Sequence, residues 1–289
     1  MSSAQFSHND VTLHYQLSGP EDGPLAVCLH GFPDSTQTFR HLAPALVQQG
    51  YRVAVPSMRG YFPSSTSSLG DYSIAALASD AIALHEHLGG DERAVLIGHD
   101  WGAAATYPAL SAAPERWRRG VAMTVPPLMV MATAFRTYSQ LKLSWYMFFF
   151  QQSTAADVVA ADSYSFIDDL WRDWSPNFDF GPETSAVREA LCDPEHLNAA
   201  LGYYRAMTSF TLLNPDLQWI QNHVISTPPM PVLYLHAEND GCISQASASD
   251  PLPYLGAGSR YEVIKDAGHF LHLERPDAVN QLIIDFLAS

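Results

Sequence analysis

The sequence predicts an α/β fold: a mostly parallel, doubly wound sheet with a block of helices inserted into it. Three observations carry this. Short strand-like runs at residues 25–29 (LAVCL), 52–55 (RVAV), 94–97 (AVLI) and 121–125 are near-continuously apolar rather than alternating. Strands buried on both faces of a parallel sheet have that pattern. Helical patterns over residues 36–49, 74–88 and 103–112 lie between them, giving the βαβα rhythm of a doubly wound layer. The rhythm stops after Pro126-Pro127, and a helical, aromatic-rich stretch follows before strand-like runs return.

In chain order, residues 11–17 read as a first strand, followed by the four apolar runs and their intervening helices. Residues 128–226 show helical patterns and no convincing strand. The sheet resumes at 232–236 (VLYLH) and 261–264, and residues 278–287 close the chain as a helix. Both junctions are loop-like, Pro126-Pro127 on one side and Thr227-Pro228-Pro229 on the other. The expected organisation is therefore a sheet core over residues 1–127 and 227–289, split by a helical cap over 128–226. No internal repeat or low-complexity tract is present.

The 289 residues suit one large domain or two small ones, and 47% hydrophobic with 16% charged residues is an ordinary globular balance. A formal net charge of -15 argues against nucleic acid or an anionic membrane as a partner, because both repel it. The three cysteines, Cys28, Cys192 and Cys242, make poor material for a disulfide framework or a zinc site and read as thiols in a reducing compartment. The first ten residues, MSSAQFSHND, show no secretory pattern, and the most apolar stretch, 141–150, is interrupted by Lys142 and Ser144. The expectation is a cytoplasmic protein with no membrane span. The histidines and carboxylates show no metal-ligand spacing, so neither a metal nor an organic cofactor is expected.

The chemistry concentrates around Asp100. Residues 94–102 read AVLIGHDWG, a buried strand running into Gly98-His99-Asp100-Trp101-Gly102 with a helix after it. This small-x-nucleophile-x-small turn lifts its middle side chain above the end of the sheet, at a helix N-terminus. In isolation such an Asp is more often a helix cap. The preceding strand and the partners below favour a nucleophile. A serine here would suit acyl transfer. A carboxylate suits displacement at an sp3 carbon, leaving an alkyl-enzyme ester that water must hydrolyse with the help of a base.

His269, in Asp266-Ala267-Gly268-His269-Phe270, is the candidate base, and Asp240, in Glu238-Asn239-Asp240-Gly241, the candidate orienting acid. Nucleophile, acid, histidine is the chain order this elbow calls for. Glu238 is the rival acid, but Asp240 lies farther past the strand end. His85, His87, His236 and His272 are read as structural or surface residues. His30-Gly31-Phe32-Pro33 follows the second strand, where one oxyanion donor is expected. The other comes from the residue after the nucleophile, which assigns the backbone N–H groups of Phe32 and Trp101.

These segments resemble the epoxide hydrolase branch of the α/β-hydrolase superfamily. His30-Gly31-Phe32-Pro33 is similar to its HGxP motif, and Gly98-His99-Asp100-Trp101-Gly102 to its GHDWG elbow. Asn239-Asp240-Gly241 and Gly268-His269-Phe270 resemble its acid and base segments. The resemblance spans nearly the whole chain and is weakest in the insertion. It implies the α/β-hydrolase fold and two cap tyrosines that hydrogen-bond an epoxide oxygen. Tyr203-Tyr204-Arg205 resembles one tyrosine segment and points to Tyr204. Trp145-Tyr146-Met147-Phe148-Phe149-Phe150-Gln151 resembles the other and points to Tyr146, with Tyr203 and Tyr138 as the remaining candidates. Phe32, Trp101, Trp145 and Phe149 are expected to wall an apolar pocket. The implied partners are a small apolar epoxide and water, and a monomer or a homodimer is equally compatible. A haloalkane dehalogenase shares the Asp nucleophile, but that family usually has Asn where this chain has Phe32, which cannot donate to halide. A fluoroacetate-type dehalogenase would carry arginines beside the nucleophile. A non-catalytic binding or regulatory protein on this scaffold would typically have lost a triad residue, and this chain keeps all three.

Overall fold

The structure, a computed structural model, describes residues 2–209, 213–248 and 250–289. Eight strands form one sheet in the order β1-β2-β4-β3-β5-β6-β7-β8. They are β1 (Ser2–His8), β2 (Val11–Ser18), β3 (Leu25–Leu29), β4 (Arg52–Pro56), β5 (Val95–His99), β6 (Arg119–Met123), β7 (Val232–Ala237) and β8 (Arg260–Ile264). β1 pairs antiparallel with β2, and β2 antiparallel with β4. Every other pairing is parallel, as the continuous apolar runs require.

Alternate residues of the parallel strands β3 to β7 feed two cores. On β5, Leu96 joins one core while Val95 and Ile97 join the other. On β7, Tyr234 faces the first and Leu233 and Leu235 the second. The first core is covered by α2 (Ile74–His87) and α3 (Trp101–Ala112), the second by α1 (Leu42–Gln48) and the closing helix, which spans Pro276–Ala288. Covering both faces of a mostly parallel sheet is the doubly wound arrangement expected of the sequence.

Two differences from the sequence reading have plain causes. β1 is an extra edge strand that no hydrophobic pattern announces. Its residues, SSAQFSH, are largely exposed, and it is held by the β2 ladder and by Phe6, whose ring stacks on His87 at 4.6 Å. The helix expected over 36–49 begins instead as a 3-10 turn, Thr36–Phe39, capped by Ser35, and α1 starts only at Leu42.

Between β6 and β7 the described residues form helices and no strand: α4 (Leu128–Ala134), α5 (Tyr138–Leu143), α6 (Trp145–Phe149), α7 (Ala155–Trp174), α8 (Gly181–Ala190), α9 (Pro194–Met207) and α10 (Gln218–Gln221). Past the last strand, α11 (Leu271–Glu274) precedes the closing helix α12 (Pro276–Ala288). The far end of α7 is pressed onto the sheet. Trp171 stacks on Phe270 with ring centroids 3.4 Å apart and donates its indole N–H to the Pro33 carbonyl at 2.9 Å. α9 is anchored by Tyr203, which donates to the Arg59 carbonyl at 2.7 Å. Arg59 is itself buried and makes two 2.7 Å hydrogen bonds to the Asp80 carboxylate on α2. Among the described residues no helix is long and apolar enough to cross a membrane.

Candidate active site

Asp100 joins central strand β5 to α3 with φ 53° and ψ -119°, a left-handed backbone that a non-glycine residue adopts only under constraint. The constraint comes from close packing. A Cβ on Gly102 would sit 2.0 Å from the Leu29 carbonyl oxygen, and one on Gly31 would sit 2.2 Å from Asp100 Oδ1. Glycine at these positions lets the β3 loop press against the elbow. The Phe32 amide then donates to Asp100 Oδ1 at 2.7 Å. The Trp101 amide opens α3 and makes no hydrogen bond to this carboxylate in the resting site, so only one of the two expected donors is engaged.

His269 lies in the loop after β8, with Nε2 3.5 Å from Asp100 Oδ2. That is a charge contact longer than a hydrogen bond, a common spacing before a substrate tightens the site. On its other edge Nδ1 lies 3.2 and 3.1 Å from the two oxygens of Asp240. Asp240 is held by the Cys242 and Ile243 amides at 2.8 and 2.9 Å, a turn that places its carboxylate beneath the imidazole. Glu238 is exposed and accepts from the Asp266 amide, so the acid nearest His269 is Asp240. Burial alone would lower the His269 pKa. The Asp240 charge and the contacts to both carboxylates outweigh it and raise the value to about 10. Burial pushes the Asp240 carboxyl up, but the His269 and His236 charges prevail and hold it below its usual value.

Neighbours fix this chain of groups. The Trp174 carbonyl at the end of α7 accepts from the His269 and Gly241 amides at 2.9 and 3.2 Å, tying the base loop to the acid loop. His99 Nε2 sits 3.0 Å from the His269 carbonyl. His236, read from sequence as structural or surface, is fully buried 3.9 Å from Asp240 and bridges the Tyr234 hydroxyl and the Ile243 carbonyl.

The two tyrosines pointed to by sequence are both buried, with rings 5.6 Å apart and nearly perpendicular. Tyr204 packs edge-on against Phe32 and Trp101, and its hydroxyl has no hydrogen-bond partner. The Tyr146 hydroxyl lies 3.2 Å from Cys242 Sγ. Burial raises both phenols well above their usual pKa, and the nearby Asp100 charge adds to the effect, so each remains a neutral donor. Tyr203 is committed to Arg59, and Tyr138 is 84% exposed.

Two expected pocket residues need correction. Trp145 is 47% exposed and Phe149 half-buried, and both pack against Phe166 on the outer side of α6. Tyr146 and Phe150 occupy the inner face, four residues apart, one helical turn. Phe150 packs inward, touching Phe32, Tyr146 and Tyr204. The cavity at Asp100 is lined by Trp101, Val125, Met131, Tyr204 and Met207, with Cys242 beside them, and is almost wholly apolar. Sequence reasoning missed Cys242, although it stands two residues past Asp240 in the turn that caps the acid. A more polar cleft, lined by His14, Gln37 and Glu189, lies elsewhere and contains neither Asp100 nor His269.

A family model for the alpha/beta hydrolase fold matches residues 24–276. The AB hydrolase superfamily protein YfhM of Bacillus subtilis is 30% identical over 97% of this chain and 96% of its own. Epoxide hydrolase A of Mycobacterium tuberculosis is 27% identical over 97% of this chain and 95% of its own. Among solved structures, Bacillus megaterium epoxide hydrolase, in complex with an inhibitor, superposes with a TM-score of 0.84, at 25% identity over 99% of this chain and 100% of that one.

Proposed function

The chain belongs to the alpha/beta hydrolase family, and from that premise we propose that it is an epoxide hydrolase working through a covalent ester on Asp100. The carrying observation is a pair of buried, neutral phenols facing the charge of an elbow carboxylate that is itself backed by a histidine and a second carboxylate. The full-length likeness to proteins named epoxide hydrolases supports the same reading.

In the first step Asp100 Oδ2 attacks an epoxide carbon and the ring C–O bond breaks. Tyr204 and Tyr146 hydrogen-bond the departing oxygen and supply its proton, which solvent later returns to the phenol. Tyr204 is free to donate at once, whereas Tyr146 must turn from Cys242. In the second step His269 takes a proton from water, and the resulting hydroxide attacks the ester carbonyl of Asp100. The charge developing on Oδ1 is met by the Phe32 amide already bound there and by the Trp101 amide. Collapse breaks the bond between the carboxyl carbon and Oδ2, the departing alkoxide takes the proton of the added hydroxide to give the diol and the carboxylate, and Asp240 stabilises the imidazolium. The apolar cavity suits an apolar epoxide, with the helices between β6 and β7 acting as its cap.

Single-turnover reaction in oxygen-18 water tests this reading. Label is expected in the Asp100 carboxylate first and in the diol only on later turnovers. Label appearing directly in the diol, with Asp100→Ala still active, overturns it. A panel of epoxides and haloalkanes, read out as diol and halide, separates the reading from a dehalogenase.

A further inference from the structure

Asp100, Cys242 and His269 come from three separate loops, and no sequence motif links them. Folding nevertheless brings one carboxylate oxygen, the thiol sulfur and one imidazole nitrogen within 4.8 Å of one another, all in buried residues. We propose that this trio is a binding site for a soft divalent cation, zinc or cadmium, which would occupy the catalytic centre and shut it down.

Geometry comes first. Zinc bonded tetrahedrally to N, O and S at about 2.0–2.3 Å holds its ligand atoms about 3.3–3.7 Å apart. His269 Nε2 and Asp100 Oδ2 are already 3.5 Å apart. Cys242 Sγ lies within 4.8 Å of both, so reaching a zinc-ligand spacing takes about 1.5 Å at most. His269 Nε2 is buried without a hydrogen-bond partner and aimed into the gap.

The outer groups are those of a metal-binding histidine. His269 Nδ1 is backed by Asp240 at 3.1 Å, the carboxylate–histidine–metal arrangement that orients such ligands. Asp100 Oδ1 is pinned by the Phe32 amide, leaving Oδ2 to bind the ion. Cys242 Sγ has the Tyr146 hydroxyl at 3.2 Å as a donor to a thiolate. Protein supplies three ligands, two of which, Asp100 and Cys242, also line the apolar cavity.

Charge is complementary as well. A dication would be met by the Asp100 carboxylate and a Cys242 thiolate, with the Asp240 carboxylate behind His269. Cys242 is what makes the site suited to a soft ion, since a thiolate selects zinc or cadmium over magnesium or calcium. Nothing here requires the epoxide chemistry, because the readout is metal binding by the free protein.

The test is a cadmium titration of the full chain in a Cys192→Ser background, followed by the ultraviolet thiolate-to-cadmium charge-transfer band. The background removes the surface group of Cys192, Asp193 and His196, the other sulfur-bearing cluster among the described residues; the buried group of Asp34, His99 and His272 has no sulfur and gives no thiolate band. One ion per chain is expected, displaced by zinc. Cys242→Ser, close in shape, should abolish the band and weaken binding on the order of 100-fold, and His269→Gln should weaken it at least tenfold. Cadmium NMR on the chain with Cys242 intact should report a single-sulfur site, which decides the matter if the Ser variant misfolds. No binding, a band that survives Cys242→Ser, or an ion without a sulfur ligand overturns the proposal.

Discussion

Replacing Asp100 by Asn is expected to lower sharply the pH at which His269 gives up its proton. The imidazole sits between two carboxylates, Asp100 at 3.5 Å and Asp240 at 3.1 Å. His236 lies beyond Asp240, and the rings of His99 and Trp174 flank the imidazole at 5.0 and 5.1 Å. Asn keeps the shape of Asp100 and removes its charge, as the proposed esterification would. At an effective dielectric of about 20, the 3.5 Å contact is worth about 5 kcal/mol, or on the order of a thousandfold in proton affinity. The two carboxylates hold the imidazole of the free chain toward its protonated form, at about 10. On the proposed mechanism, forming the ester would remove one of these anions and favour the neutral imidazole that the second step needs. The sign for stability follows. His269 titrates above its ordinary value in the folded chain, so its ion pairs stabilise fully below about pH 6.5 and are lost as pH rises toward about 10. Nitrogen NMR of labelled histidines, with chelator present and His269 assigned through His269→Gln, measures both midpoints. An Asn variant that titrates within roughly half a pH unit of the parent would refute the Asp100 contribution.

Three further outcomes are expected. His269→Gln should leave the first chemical step intact and stall the second, so intact-protein mass spectrometry after exposure to epoxide should find the chain heavier by one substrate. Absence of an adduct at full substrate binding counts against the ester. Asp80→Asn leaves the buried Arg59 guanidinium without its charge partner and should cost about 3–5 kcal/mol in urea unfolding. A cost below about 1 kcal/mol would mean that Asp10, 3.7 Å from Arg59, takes over. Phe150→Ala should lower kcat/KM at least tenfold and cost about 3–5 kcal/mol, because its ring fills the space between Phe32 and Tyr204. Trp145→Ala, on the outer face of α6, should change kcat/KM by less than about threefold, and the reverse ranking would restore the sequence-based assignment.

How much could be read in advance depended on whether a feature is written in consecutive residues. The parallel strands and the elbow are local patterns, and a buried run ending in Gly98-His99-Asp100-Trp101-Gly102 forces its own backbone. The choice of Asp240 over Glu238 followed from distance past the end of β7, and the structure turns one inward and the other to solvent. β1 carried no signal, because an exposed edge strand of small polar residues needs no apolar pattern to pair. Trp145 and Phe149 were misplaced because a run of six aromatic or Met residues has no apolar periodicity to show which side of the helix faces inward. Only the packing of Tyr146 and Phe150 on Phe32 and Tyr204 decides that. Cys242 was invisible for a deeper reason. Its meaning depends on Asp100 and His269, each supplied by a different loop, and a lone cysteine acquires a chemical identity only when folding brings it to other donors. The residues that make the elbow announce themselves through backbone geometry. Those that tune the charge at its centre do so only through space, where Asp100 and Asp240 stand on either side of the His269 imidazole.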